Sequence, residues 1–275
     1  MTRPMLEIDQ VTIRFGAIEA VSNADFSLSE DELLALIGPN GAGKTALLNS
    51  VCGIYTPASG DIRANGRSTI GAAPDEIAAM GIGRAFQHGE LFGGLTVTEN
   101  LMVGRTRQLW GAVGWAGFRW GRYMRHEVEA LTRVEQVMDF FEISHHRDTM
   151  VEDLPFGLQK LVGVARALCG DPEVLLLDEP SSGLTRQEKE DFARFLLRIR
   201  HDLGLPVLWI EHDMQMVMDL ADRIVVLDYG KIIADGEPAA VASSPAVIDA
   251  YLGRPLNADE GAVSPTSQPE EVVPR

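Results

Sequence analysis

Apolar and polar residues alternate over residues 5–14, which sets Leu6, Ile8, Val11 and Ile13 on one face of a half-buried strand. A second pattern then takes over. Residues 33–37, 174–177, 207–210 and 224–227 are short continuous apolar runs bounded by polar turns. Such runs fit strands of a parallel sheet covered on both faces. Stretches of helical period, such as 188–200, lie between them, so the pattern predicts an α/β core. From about 89 to 168 no such run occurs, and the segment reads as a helical lobe inserted into that core. Residues 224–233 predict a hairpin turning at Tyr229-Gly230. The predicted domain therefore spans 1–253, and residues 254–275, rich in Pro, Ser, Glu and Asp, predict a disordered tail. No internal repeat is visible.

Composition narrows the function classes. Hydrophobic residues make up 45% of the 275, enough for one sizeable core. The formal net charge is −16, from 24 basic and 40 acidic residues. So acidic a chain lacks the basic surface that a phosphate backbone needs, so no nucleic-acid partner is expected. The two cysteines, Cys52 and Cys169, lie in apolar sequence without metal-ligand spacing and read as reduced core residues. The first ten residues lack the apolar centre of a signal peptide. No run of about 18 apolar residues exists to span a bilayer. Any role at a membrane is expected to run through a partner.

Candidate chemistry begins directly after the apolar run 33–37. Gly38, Pro39, Asn40, Gly41, Ala42, Gly43, Lys44 and Thr45 match the phosphate-binding pattern G-x-x-x-x-G-K-[ST], between a strand and a helix that begins near Ala46. Glycine lets the backbone wrap closely round phosphate oxygens. The amides from Gly41 to Thr45 and the helix N-terminus are expected to face the β-phosphate of a bound nucleotide. Lys44 should reach the β- and γ-phosphates, and the Thr45 hydroxyl should hold Mg²⁺.

The run 174–177 ends in two carboxylates, Asp178 and Glu179. Such a pair is often no more than a solvated acidic turn, but here the phosphate loop supplies the metal and phosphate that it would serve. Asp178 is expected to hold Mg²⁺ through water, and Glu179 to polarise an attacking water. Three further residues suit the same site, though each taken alone suits a plain structural role as well. Gln87 opens the helical lobe, and its amide could touch Mg²⁺ and the water. His212 lies just beyond a strand end, where side chains of open α/β sheets face the ligand crevice. Phe15, near the end of the first strand, could stack on adenine.

Taken in order, Phe15, the phosphate loop, Gln87, LPFGLQK at 154–160, LLLDEP and His212 resemble the nucleotide-binding domain of the ABC ATPase family. The resemblance covers roughly residues 5–253. It implies a P-loop α/β core with a parallel sheet, a small antiparallel β-subdomain and an inserted α-helical lobe. It also implies that two such domains pack head to tail around two ATP molecules. The second ATP-binding subunit would be an identical or a paralogous chain. Gln87 would be the Q-loop glutamine, 154–160 the signature, Asp178 and Glu179 the Walker B pair, 181–184 the D-loop and His212 the switch histidine. Pro155, Phe156 and Gly157 would then face the partner's nucleotide. FGAIEAV, ELFGGLTVTENLMVG, IEHDMQMVMDLADRI and AYLG are similar to the branched-chain amino-acid (LIV-type) uptake ATPases. Such subunits sit peripherally on the cytoplasmic face, with two transmembrane permease subunits and an extracytoplasmic solute-binding protein. Three positions depart from the family: Pro155 replaces the signature serine, Ala46 a second hydroxyl residue and Thr185 the D-loop aspartate.

Two matters stay open in the sequence. Between Leu101 and His126 no acidic residue occurs, while Arg105, Arg107, Arg119, Arg122 and Arg125 are interleaved with Trp110, Trp115 and Trp120. This composition suits a headgroup or protein interface, or equally a helical insert with solvated arginines. The rival functions are a non-transport ABC ATPase and a weakly hydrolysing regulatory subunit. The first usually brings a second nucleotide domain, a coiled coil or a basic arm. The second is kept alive by Pro155 and opposed by Glu179 and His212.

Overall fold

The computed structural model describes residues 4–85, 91–107 and 120–252, the side chains of 120–125 and of Leu252 excepted. Gln87, the tryptophans at 110 and 115 and the tail 254–275 lie outside them. The first strand, β1 (Pro4–Phe15), pairs antiparallel with β2 (Ile18–Ser29). Its buried residues keep the expected face despite an odd spacing between Ile8 and Val11. The pairing shifts register there, and Gln10 takes φ 49°, so a bulge absorbs the extra residue.

β3 (Leu33–Ile37) leads through the glycine loop into α1 (Lys44–Val51). Then come β4 (Ser59–Ala64), β5 (Arg67–Ser68), α2 (Pro74–Ala79) and β6 (Ile82–Ala85). Three helices, α3 (Val97–Gly104), α4 (Trp120–Phe140) and α5 (Phe156–Cys169), pack on one another as the lobe. The chain returns through β7 (Val174–Asp178), α6 (Arg186–Leu203), β8 (Val207–Ile210) and α7 (Met214–Leu220). It closes with β9 (Arg223–Asp228), β10 (Lys231–Gly236), α8 (Pro238–Ala242) and α9 (Pro245–Leu252).

Among the described residues the strands form two sheets. The order β2-β1-β4-β5 is antiparallel, and β10-β9-β3-β8-β7-β6 is parallel except for its β10 edge. The fold is thus α/β with a parallel core sheet, an antiparallel sheet and a helical lobe. Every residue of β3, β7 and β8 is buried, which is why these strands read as unbroken apolar runs. One face of the core sheet packs with the lobe, α6 and α7, and the other with β1, β2 and α1. No helix among the described residues is long and apolar enough to cross a membrane.

The hairpin turns where expected. Tyr229 (φ 44°) and Gly230 (φ 78°) both take the left-handed region, as a two-residue I′ turn requires. Cys52 and Cys169 are free thiols, and burial pushes Cys169 up to about 12. The arginine-rich stretch needs correction at its start. Arg105 is buried and not an interface residue: its guanidinium donates to the Cys169 carbonyl at 2.8 Å and pairs with Asp171. Arg107 donates to the Ala78 carbonyl at 3.0 Å.

Candidate nucleotide site

After β3 the glycine loop passes close beneath two other segments of the backbone. A Cβ on Gly38 (φ 150°) would lie 1.9 Å from the Leu227 carbonyl oxygen, and one on Gly43 (φ 106°) 2.3 Å from that of Ala20. The hairpin turn braces the loop from behind, with Gly230 N–H donating to Ala42 O at 2.9 Å. Lys44 is 5% exposed, and its ammonium donates to the carbonyls of Gly38 (2.7 Å) and Pro39 (3.1 Å). Burial lowers its pKa, opposed by the charges of Glu179 and Asp178. One detail differs from expectation: the Ala42 amide donates to Pro39 O at 3.1 Å inside the loop instead of facing outward. Asn40, Gly41 and Thr45 are exposed, and Ala46 packs partly against the apolar cluster beneath. A hydroxyl at position 46 would meet that cluster.

Asp178 ends β7 beside the loop, and its carboxylate is almost fully buried. Arg84 of β6 donates to Asp178 Oδ2 at 3.0 Å and to Asn49 Oδ1 of α1 at 2.6 Å. Burial pushes the Asp178 carboxyl up, and Arg84 pulls it back down. The other oxygen, Oδ1, is buried with no hydrogen-bond partner among the described residues. An orphaned carboxylate oxygen beside a phosphate loop is chemically suited to a hydrated divalent cation.

Glu179 follows in a left-handed conformation, φ 47°, which is uncommon for a residue with a side chain. The kink aims its carboxylate at the neighbouring strand end, where His212 Nε2 meets Glu179 Oε1 at 2.5 Å. The His212 side chain is 42% exposed and that of Glu179 16%, so the pair opens to solvent from the histidine side. At the far end of β1, the Phe15 ring is 45% exposed and meets Tyr55 edge-on at 4.9 Å.

The signature segment enters α5 through Pro155, whose φ of −52° and ψ of 145° make it an N-cap without a capping side chain. It stands one position before the first helical residue, where proline is most favoured. Phe156 is 52% exposed and lies against Gly183 of the D-loop, where an added Cβ would be 2.9 Å from the ring. The Glu188 carboxylate lies against Gly157, where an added Cβ would be 2.3 Å from its Oε1. Glu188 also accepts from the Thr185 amide and hydroxyl, both at 2.8 Å, so Thr185 caps α6 in a capping box. Signature and D-loop are thereby joined within one chain.

The structure brings Lys44, Asp178, Glu179 and His212 to one edge of the core sheet, at the carboxyl ends of β3, β7 and β8. Arg84, Tyr55, Glu211 and Lys160 were not singled out from the sequence. An arginine inside the apolar strand 82–85 was the available signal for the first.

A family model described as ABC transporter matches residues 21–182, and one described as branched-chain amino acid ATP-binding cassette transporter matches 231–256. The chain is 37% identical over 253 residues to the high-affinity branched-chain amino acid transport ATP-binding protein LivG of Salmonella typhimurium, covering 92% of this chain and 99% of that one. It is 36% identical, with the same coverage, to the corresponding protein BraF of Pseudomonas aeruginosa. Among solved structures, the ADP conformation of an ATP-binding cassette of an ABC transporter superposes with a TM-score of 0.80 at 28% identity, over 92% of this chain and 100% of that one. By sequence and by fold, the chain belongs to the ATP-binding, ATP-hydrolysing subunits of the ABC transporter family.

Proposed function

We propose that this ATPase powers an importer of small amphipathic solutes such as branched-chain amino acids. The substrate class rests on the likeness to LivG and BraF and on the family match at 231–256. In this reading the chain spans 1–253 as one nucleotide-binding domain with its lobe at about 89–168, followed by a tail. It works peripherally on the cytoplasmic face, paired with a second ATP-binding subunit and two transmembrane permease subunits. An extracytoplasmic solute-binding protein delivers the solute. His88, Glu90, Leu91 and Phe92, just beyond the Q-loop, are the proposed permease contact; His88 and Glu90 lie outside the described residues, and Phe92 is 52% exposed.

The residue roles follow from the site. Phe15 stacks on adenine. The loop from Gly38 to Ala46 holds the phosphates, and Lys44 exchanges its bonds to Gly38 and Pro39 for phosphate oxygens. Thr45, Asp178 and Gln87 would hold Mg²⁺, which supplies positive charge to the β- and γ-oxygens. Glu179 takes a proton from the attacking water, and His212, through Nε2, holds Glu179 in place. Pro155, Phe156 and Gly157 face the partner's nucleotide.

The observation that carries the hydrolytic assignment is the 2.5 Å contact between Glu179 and His212 at the ends of adjacent parallel strands, next to Lys44. The test is a pair of substitutions in the assembled transporter. Lys44→Ala should abolish tight ATP binding. Glu179→Gln should keep binding and slow hydrolysis by about 10²-fold or more. Full turnover with Glu179→Gln would remove that residue from its role.

A further inference from the structure

Glu211 is 2% exposed, and no role above uses it. It stands between Ile210, the last residue of β8, and His212. Its Oε1 accepts the Ser181 N–H at 2.9 Å. Its Oε2 accepts the His212 N–H at 3.0 Å and the Asp213 N–H at 3.5 Å. Ser181 lies two residues beyond Glu179, and the two stretches are cross-tied. Glu179 N–H donates to Ile210 O at 3.0 Å, and Ser182 N–H to Glu179 O at 3.2 Å. One buried carboxylate therefore spans the two loops whose side chains meet at the Glu179–His212 contact. Left-handed residues such as Glu179 persist only where the surroundings over-determine them, and Glu211 is part of those surroundings.

A buried anion also needs charge nearby. Lys160 of α5 is 9% exposed, with its ammonium 5.4 Å from the centre of the Phe156 ring. Burial lowers its pKa, and the charge opposing that most strongly is Glu211, ahead of Glu179 and Asp178.

We propose that Glu211 is a positioning residue for ATP hydrolysis. Its carboxylate fixes Glu179 against His212 by holding the amides of Ser181 and His212. This rests on the reading of Glu179 as the base. A carboxylate suits the task because both oxygens accept, whereas the isosteric amide offers one acceptor and turns an NH₂ toward the other N–H.

The test compares Glu211→Gln, Glu211→Asp and Glu179→Gln in the assembled transporter. Steady-state ATPase is read against MgATP, with the affinity for a non-hydrolysable ATP analogue measured alongside. Glu211→Gln keeps the volume but loses one anchor. Glu211→Asp keeps the charge but is too short to reach both loops, and it serves if the first variant fails to assemble. Misplacing a reacting group by about 1 Å costs on the order of 100-fold, so kcat should fall about 10- to 100-fold in either variant. KM and analogue affinity should stay within about twofold, since no group on the nucleotide is touched. Wild-type kcat in the Glu211 variants beside an inactive Glu179→Gln overturns this inference alone. Wild-type kcat in all three overturns the base assignment and the clamp with it. A fall in kcat matched by an equal fall in affinity makes Glu211 merely structural and also overturns the proposal.

Discussion

Replacing Arg84 by Met should destabilise the nucleotide-free protein in a way that grows with pH. The Arg84–Asp178 pair is 3.0 Å long, with side chains 8% and 3% exposed. At an effective dielectric of about 20, two charges at that distance attract by about 5 kcal/mol, and desolvation of both offsets much of it. What the substitution loses is therefore not the net worth of the pair but the cost of stranding Asp178, about 3–5 kcal/mol for a buried ion. Asp178 has an escape, which is to take up a proton. From an ordinary aspartate near 3.9 that costs about 4 kcal/mol at pH 7 and about 1.5 kcal/mol at pH 5, at 1.36 kcal/mol per unit. The direction is consistent, because burial already pushes this carboxyl up. A carboxyl raised in the folded state loses stability as pH rises above its unfolded value. The assay is urea unfolding in EDTA at pH 5 and pH 7, comparing midpoints and slopes. The loss should be about 3–4 kcal/mol at pH 7 and clearly smaller at pH 5. The double variant with Asp178→Asn should recover most of it and lose the pH dependence. A loss of the same size at both pH values, or one under about 1 kcal/mol at pH 7, would refute the reasoning.

Three further outcomes are expected. Gly38→Ala should abolish nucleotide binding and lower Tm, since its Cβ would lie 1.9 Å from the Leu227 carbonyl oxygen; an ATP titration with thermal melting checks both. Pro155→Ser should raise turnover only in the composite site completed by this chain's signature, because serine restores a hydroxyl and an amide at the start of α5; the measurement disables each chain's P-loop lysine in turn. Asp213→Asn should flatten the loss of stability below about pH 4. The Lys189 hydrogen bond, and then the Met216 amide, hold this carboxyl below its usual range. Its contribution is thus present above the unfolded value and lost as pH falls through the lowered one, which urea midpoints between pH 3 and pH 6 would report.

The parallel strands and the phosphate loop were legible because one local rule governs each of them. Full burial leaves apolar residues throughout β3 and β8 and in β7 up to its terminal Asp178, and the close passes at Gly38 and Gly43 admit only glycine. The residues that hold the site together were not legible, because distant neighbours decide their surroundings. Glu211 reads in sequence as one acid of a polar Glu-His-Asp turn; its buried carboxylate is held by the amide of Ser181, 30 residues away in the chain. Arg105 reads as one of a run of exposed arginines, yet Asp171 and the Cys169 carbonyl draw it inward. Lys44 was expected to point at phosphate, and in the structure its ammonium binds the carbonyls of its own loop. Gln87 falls outside the described residues.

The core sheet is a wall one residue thick between two interiors. Leu33, Ala35 and Ile37 look toward the helical lobe, while Leu34 and Leu36 look toward β1, β2 and α1. The same alternation holds in β7, with Leu175 and Leu177 on one side and Val174 and Leu176 on the other, and in β8 and β9. Truncations on opposite sides of the wall share few neighbours and should add in their effect on stability, whereas truncations on one side should couple. A single inserted residue would do what neither kind of truncation can. It would turn every later side chain of its strand to the opposite room, emptying both interiors at once. Length, more than side-chain identity, is what these four strands can least afford to vary.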